Sequence, residues 1–378
     1  MRIGIDGIPL TGAKTGVGHY TLELARGLAQ IADTDSFEFV TPARILSGDS
    51  KRDEWPANLS VTYREPNSLR KHWWTIGLPL YIRQSSLDLF HGTNYNVPLW
   101  EGCPTVLTIH DLSLFLYPET HEKHRVSVGL RRIPTMGCAA TKIITPSQAV
   151  RREVVEHLNV SPEKVIAIPE AARREFRPMP AEETRDARKR FGIEDDFLLY
   201  VGTLEPRKNL MLLVRAFEEV LCTTNLRPQL VIVGKKGWLV DELFAYVERA
   251  ELGDRLLFTN YVTDEELRAL YSSCRMCIYP SLYEGFGLPP LEAMACGAPV
   301  ITTRIPSIME TVGDAARLVE PTDVDALARN IIDLLADAEA RATLSAAGLA
   351  RAAQFSWEKT ARMTLEVYRE MLGQEQRA

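Results

Sequence analysis

Glu284 and Glu292 flank the turn Gly285-Phe286-Gly287 and the paired prolines Pro289 and Pro290. The preceding apolar run reads as a strand ending at Pro280, and the following one as a helix starting near Leu288 with proline in its first turn. A strand, a glycine-rich turn and a helix start together present backbone N–H groups and the positive end of a helix, which suits an anion. Gly285 and Gly287 let a ligand approach the backbone closely. The two carboxylates, one on the loop and one a turn into the helix, can accept hydrogen bonds from hydroxyls such as those of a sugar ring and a ribose. The plainer alternative is a connection with one solvated Glu and one first-turn Glu that complements the helix dipole.

Three further constellations sit at predicted strand ends. Gly202-Thr203-Leu204-Glu205-Pro206-Arg207-Lys208-Asn209 follows the apolar run 197–201, and adjacent Arg207 and Lys208 there can neutralise a diphosphate. Residues 11–20 follow the first strand as a glycine loop, Gly12, Gly16 and Gly18, that opens a helix and suits phosphate or close backbone approach. This loop lacks the third glycine of the dinucleotide pattern, so a tight turn is the competing reading. His110-Asp111 ends a buried strand, where His110 can hydrogen-bond a hydroxyl or a leaving-group oxygen, or simply cap with Asp111. His91 and Asn94, after the preceding strand, are candidate acceptor-loop residues on the same edge.

The elements that must position these groups alternate along nearly the whole chain. Strands are expected near 2–6, 36–40, 59–63, 88–90, 104–109, 141–145 and 164–168, then again near 197–202, 229–234, 255–259, 275–279, 299–302 and 316–319. Helices are expected near 17–31, 69–84, 119–138, 147–158, 208–222, 239–250, 263–272, 288–296 and 322–336, with one more from Ser356 to about Met371. Strand–helix alternation of this kind specifies parallel α/β sheets. The expected fold is two Rossmann-like doubly wound α/β domains facing a central cleft, since open sheets bind ligands at the carboxyl ends of their strands. The domains are 1–168 and 186–355, joined by a polar, proline-broken linker over 169–185.

Composition bounds the partners. The chain has 378 residues, 46% apolar and 25% charged, which suits two ordinary domains. A net charge of −6 argues against nucleic acid as the main partner. The first residues do not have a signal-peptide layout, and no apolar run approaches the roughly 20 residues that span a bilayer. The six cysteines are scattered through apolar segments, as expected of reduced, buried thiols in the cytosol. Cys274 and Cys277 form a Cys-x-x-Cys without a second pair or His at zinc spacing, so core packing is the expectation and no metal site is assigned.

These motifs, in this order, resemble the retaining glycosyltransferases of family 4, which have the GT-B fold. The match rests on Glu284 and Glu292 around Gly-Phe-Gly, on Glu205-Pro206-Arg207-Lys208-Asn209, on Gly16-Val17-Gly18 and on His110-Asp111. It covers nearly the whole chain, and residues 90–95, 109–113 and 202–208 look closest to bacterial mannosyltransferases of O-antigen and exopolysaccharide assembly. The resemblance implies that Glu284 contacts hydroxyls of the donor sugar and Glu292 the ribose. It gives Arg207 and Lys208 the diphosphate, the amides around Phe286, Gly287 and Leu288 the sugar and phosphates, and Gly202 a place in the donor loop. Gly16 and Gly18 would approach the diphosphate from the first domain, His110 would touch the transferred sugar, and a terminal helix over 356–378 would cross back to the first domain. His19 and Thr203 stand where relatives often carry Arg, which touches only details of phosphate contact.

The implied reaction needs no cofactor beyond a nucleotide-sugar donor, with GDP-mannose favoured by the resemblance and a UDP-sugar as the alternative. The acceptor is a lipid-linked or oligosaccharide glycan. Positive side chains and the helix start would stabilise the leaving group, so no metal is needed in principle. Residues 69–83 and 123–132 mix basic with aromatic or aliphatic side chains, which suits a peripheral contact with anionic membrane or an amphipathic helix packed on a sheet. Rival readings are a sugar-nucleotide epimerase on the same fold, a nicotinamide dehydrogenase, which the glycine pattern disfavours, and a non-catalytic sugar-nucleotide binder.

Overall fold

The computed structural model describes residues 1–12, 15–45, 55–64, 72–99, 102–193, 196–260 and 262–373. Ala13 and Lys14 of the glycine loop, residues 69–71 of the basic aromatic stretch and residues 374–378 after the terminal helix lie outside the described residues. The chain forms two compact units, one of Met1–Leu112, Val128–Ala171 and Phe355–Ala378, the other of Ser113–Ser127 and Ala172–Gln354.

Among the described residues the first unit holds strands β1 (Arg2–Asp6), β2 (Ser36–Thr41), β3 (Leu59–Tyr63), β4 (Leu89–Gly92), β5 (Thr105–Thr108), β6 (Lys142–Thr145) and β7 (Val165–Ala167). They form one parallel sheet in the order β3-β2-β1-β4-β5-β6-β7. The chain winds outward from β1 to β3, then returns beside β1 with β4 and winds the other way. That reversal is the switch point at which open α/β sheets bind ligands. The second unit repeats the scheme with β8 (Phe197–Val201), β9 (Gln229–Val233), β10 (Leu256–Asn260), β11 (Met276–Tyr279), β12 (Val300–Thr303) and β13 (Arg317–Val319). Their order is β10-β9-β8-β11-β12-β13, so its switch point lies between β8 and β11. Helices cover both faces of such sheets, so the strands are rich in apolar residues, and β8 and β9 are buried at every residue.

The helices are α1 (Gly16–Ile31), α2 (Leu78–Ser85), α3 (Ser113–Leu116), α4 (Lys123–Ala139), α5 (Gln148–Leu158), α6 (Arg185–Arg190), α7 (Leu210–Thr223), α8 (Asp241–Arg249), α9 (Asp264–Ser273), α10 (Leu288–Ala295), α11 (Pro306–Val312), α12 (Val324–Ala336), α13 (Ala338–Ala352) and α14 (Trp357–Met371). Each strand expected from the sequence is present. The helix expected over 69–84 instead begins as a π-helical turn, Trp73–Gly77, that runs into α2, and the helix expected from 119 starts at Lys123 behind a 3-10 turn at Pro118–Thr120. The sequence reading missed α3, α6, α11 and α13. Six-residue α6 is almost wholly charged, α11 is short, and alanine-rich α13 has no sharp apolar stripe.

Segment Ser113–Ser127 is counted with the second unit although its neighbours in sequence belong to the first. Aromatic contacts account for this: Trp238 Nε1 donates to the Thr120 carbonyl at 2.9 Å, and Arg125 lies 4.8 Å over the Trp238 ring. Tyr117 stacks on Tyr283 at 5.3 Å. Stretch 169–185 is not a solvated spacer either, because Glu170, Arg173 and Phe176 are buried, Glu170 in the first unit and the other two in the second. The expectation of uniformly buried thiols needs correction: Cys274, Cys277 and Cys296 are buried, but Cys138 and Cys222 are exposed. Those two fall on outer helix faces, where small side chains cost little.

In the first unit α14 packs on α1. Gly27 allows the approach, since a Cβ there would stand 3.0 Å from both the Ala361 Cβ and the Trp357 carbonyl oxygen. Trp357, Ala361, Leu365 and Tyr368 of α14 join Leu24 and Leu28 of α1 and Ile3, Ile5, Phe37 and Phe39 of the sheet in one core. The terminal helix is therefore part of the first unit's core. Trp357→Ala is expected to destabilise that unit by about 3–5 kcal/mol in urea unfolding. Trp357→Phe should cost far less, because the Trp357 Nε1 has no partner among the described residues.

Candidate active site

In the second unit the loops after β8 and β11 flank the switch point, and they carry opposite charges. The loop after β8 makes a 3-10 turn, Pro206–Lys208, that ends at Asn209 in the left-handed region with φ 56°. Asn209 tolerates that conformation, and its side-chain amide donates to the carbonyls of Pro280 and Pro321 at 3.1 and 2.8 Å. Leu282 N donates to the Arg207 carbonyl at 2.8 Å, so the two loops are stitched backbone to backbone.

Glu284 is the centre of the resulting charge cluster. Lys208 Nζ lies 2.6 Å from its Oε1, Arg207 Nη1 3.1 Å from its Oε2, and the Tyr279 hydroxyl donates to Oε1 at 2.9 Å. Lys208 also donates to Tyr279 at 2.7 Å, and Arg207 Nη2 pairs with Glu205 at 2.7 Å. Two carboxylates and two cations thus neutralise each other in a buried site. Burial pushes the Glu284 carboxyl up, but Arg207 and Lys208 outweigh it and hold the group at about 2. The Lys208 ammonium is pulled below its ordinary value by burial and by Arg207, against the pull of Glu284.

The loop from Tyr279 to Phe286 is held by its carbonyls. Thr302 donates to Tyr279 O at 2.7 Å, Thr303 to Ser281 O at 2.5 Å, Ser307 to Glu284 O, and Thr311 to Phe286 O at 2.6 Å. Four buried hydroxyls from β12 and α11 therefore fix the peptide planes of the turn. Gly287 caps α10 with φ 98°, and a Cβ there would lie 2.5 Å from Ile308 Cδ1, so only glycine fits. Pro289 and Pro290 have no N–H, which narrows the anion site expected at this helix start to the amides of Gly287 and Leu288. Gly202 ends β8 with the Tyr200 hydroxyl 2.8 Å from where its Cβ would be, and that hydroxyl is buried without a partner among the described residues.

Glu292 is buried on α10 and binds Arg173 through both oxygens, Nε to Oε1 at 2.8 Å and Nη2 to Oε2 at 3.3 Å. Arg173 also reaches Asp264 at 2.6 Å. Glu284 and Glu292 belong to one unit, yet each has its own cationic partners.

In the first unit the carboxyl ends of β4 and β5 bring His91, Asn94, His110 and Asp111 to one edge. Tyr20 of α1, the helix that opens with Gly16 and Gly18, packs edge-on against the His110 ring at 4.8 Å. His110 places Nε2 2.9 Å from the Thr93 carbonyl and Nδ1 3.2 Å from Glu170. Both ring nitrogens face acceptors, which favours the imidazolium: burial pulls its pKa down, but Glu170 and the Thr93 carbonyl raise it above the ordinary value. His91 is fully buried at 0% exposure, with Nδ1 2.6 Å from the Tyr368 hydroxyl and Nε2 2.8 Å from Thr108 Oγ1. Burial and the nearby His110 push it down to about 3, so it is neutral. A side chain so enclosed ties the sheet to α14, and the acceptor-contact expectation for His91 gives way to that packing role. Asn94 is half-buried, and the Tyr95 hydroxyl binds Asp111 N at 3.0 Å.

Sequence reasoning missed Tyr279, Arg173 and Glu170, the partners of Glu284, Glu292 and His110. Only Arg173 and Glu170 left a trace, as charges in a stretch read as a linker.

Comparison with known proteins agrees with this organisation. The family model for glycosyl transferases group 1 matches residues 182–351, and that for glycosyltransferase family 4 matches residues 14–173. The O-antigen chain mannosyltransferase B of Escherichia coli is 32% identical, over 98% of this chain and 100% of its own. A serotype-specific mannosyltransferase, WbdA, from Escherichia coli is 33% identical over 63% of this chain and 30% of its own. Among solved structures, a sucrose-phosphate synthase from Thermosynechococcus elongatus superposes with a TM-score of 0.78 at 24% identity over 98% of this chain and 99% of its own. Anabaena HepE, crystallised with UDP and glucose, superposes with a TM-score of 0.74 at 19% identity over 97% of this chain and 98% of its own.

The Glu284 cluster carries an acid signature. A carboxyl held below its unfolded value of 4.5 adds stability that is present above that pH and lost as pH falls toward about 2. The stability difference between wild type and Glu284→Gln should therefore shrink as pH is lowered from about 4.5 to about 2 in denaturant melts. A difference that is flat across this window would contradict the pairing.

Proposed function

The chain belongs to the glycosyltransferases of family 4, and from that premise we propose that it moves mannose from GDP-mannose, with retention and without a metal, onto a lipid-linked glycan of a bacterial surface polysaccharide. The observation that carries this reading is the Glu205–Arg207–Lys208–Glu284 cluster at the switch point of the second sheet. The mannosyltransferase relatives from Escherichia coli support mannose as the sugar.

Glu284 takes hydroxyls of the donor sugar and Glu292 those of the ribose. Arg207 and Lys208 take the diphosphate, helped by the amides of Gly287 and Leu288, while Gly202, Gly285 and Phe286 let the donor approach the loops. As the glycosidic bond breaks, positive charge develops on the sugar and negative charge on the departing phosphate. Arg207 and Lys208 stabilise that phosphate, and they stand in place before the reaction because Glu284 and Glu205 already hold them. In the first unit Gly16, Gly18 and His110 are assigned to the donor's diphosphate and transferred sugar, and Asn94 and Asp111 to the acceptor.

The second proposed contact is with anionic lipid at the inner face of the cytoplasmic membrane. On α4, Lys123, Arg125 and Arg131 are exposed beside Val128 and Leu130, which are 44% and 43% exposed. Among the described residues no helix is long and apolar enough to cross a membrane.

Glu284→Ala and Lys208→Ala are each expected to cut turnover of GDP-mannose by about a hundredfold or more, with the fold kept by circular dichroism. Retained turnover in both would overturn the site. In a thermal-shift panel of nucleotide sugars, GDP-mannose at about 100 times its Kd should stabilise by roughly 2.7 kcal/mol, and stabilisation by a UDP-sugar alone would replace the donor. The protein should float with vesicles that contain anionic lipid; its absence from them would remove the membrane contact.

A further inference from the structure

Arg173 lies in a stretch that looks like a linker, yet it is buried, and its guanidinium grips Glu292 side-on. A carboxylate has about four lone-pair positions, and a fork of this kind fills two of them. Among the described residues Glu292 has no other side-chain partner, so two acceptor positions stay open. They suit a vicinal diol, whose two hydroxyls both donate.

We propose that Arg173 is the positioning residue of the nucleotide subsite, turning Glu292 so that its two open positions receive the vicinal hydroxyls of a ribose. The inference rests on the reading of Glu292 as the ribose carboxylate and adds the residue that makes it competent.

The surroundings show why a cation is required. Glu292 faces Glu175 from the same stretch as Arg173, Asp264 and Tyr271 from α9, Cys277 from β11 and Cys296 after α10. Arg173 is the cation that binds it; the others are acids or neutral. Burial already pushes the Glu292 carboxyl above its ordinary range, and Arg173 is the main influence pulling it back. Without Arg173 the carboxyl would be pushed further up, and a protonated carboxyl turns one acceptor position into a donor and accepts less strongly at the rest. Asp264 in turn holds the far nitrogen of Arg173, which fixes the fork's angle.

The test is isothermal titration of the intact protein, Arg173→Met and Arg173→Lys with GDP and UDP, each against its 2′-deoxy and 3′-deoxy counterparts. Wild type should prefer ribose over either deoxyribose by about tenfold or more, the worth of a hydrogen bond to a charged group. In Arg173→Met that preference should fall to within about twofold and recover in part as pH is raised. Arg173→Lys, which keeps the charge but not the fork, should lose part of the preference without gaining the pH dependence. A preference unchanged in both variants at every pH would overturn the inference and reduce Arg173 to a structural tie. Loss of preference in wild type itself would overturn the ribose reading of Glu292, a separate failure. Binding of neither nucleotide would overturn the donor site and this inference with it. Should Arg173→Met not fold, Arg173→Lys decides alone, and wild-type preference in it would overturn the orienting role.

Discussion

The second unit is organised around a buried carboxylate, Glu284, that is held by two adjacent cations. Buried ion pairs are poor sources of stability, because the cost of stripping water from each charge offsets most of their attraction. Well-packed apolar residues would fill the same space as well. What the Glu205–Arg207–Lys208–Glu284 cluster supplies is a set of charges that are oriented before any ligand arrives. The stitching of its two loops, Leu282 to Arg207 and Asn209 to Pro280, follows from that need. In the proposed donor role the cations would hold still while a diphosphate competes with glutamate for them.

The rest of the second unit serves this constraint. Hydroxyls of Thr302, Thr303, Ser307 and Thr311 hold the carbonyls of the loop that carries Glu284. The left-handed Gly287 turns the chain directly into α10, which places buried Glu292 against Arg173. In the first unit the same logic appears in smaller form. His110, held between a carboxylate and a carbonyl, has its pKa raised, whereas burial pushes that of His91, between two hydroxyls, down. Two buried histidines one strand apart are thus shifted in opposite directions, because one faces a carboxylate and the other does not.

The fold was largely legible because strands covered on both faces carry short apolar, β-branched runs such as those of β8 and β9. Runs such as 197–201 and 229–233 are strands in fact. Helices were legible where they carry one apolar stripe and failed where they do not, as in charged α6 and alanine-rich α13. Glu284, Arg207 and Lys208 could be named from their places at strand ends, and the structure brings them together. Their partners could not. Tyr279 reads as one more apolar strand residue, and the long-range pairing of Arg173 with Glu292 has no local periodicity to betray it. His91 failed for the opposite reason: its type suggests chemistry, while its surroundings make it a tie between sheet and helix.

The central claim is that the loops after β8 and β11 form one donor site. Amide hydrogen exchange measured with and without saturating GDP or UDP tests it most directly. The account predicts slowed exchange in residues 202–209 and 281–292 together, because the diphosphate and the ribose engage both loops at once. Protection of other segments with both of these loops unchanged would contradict it.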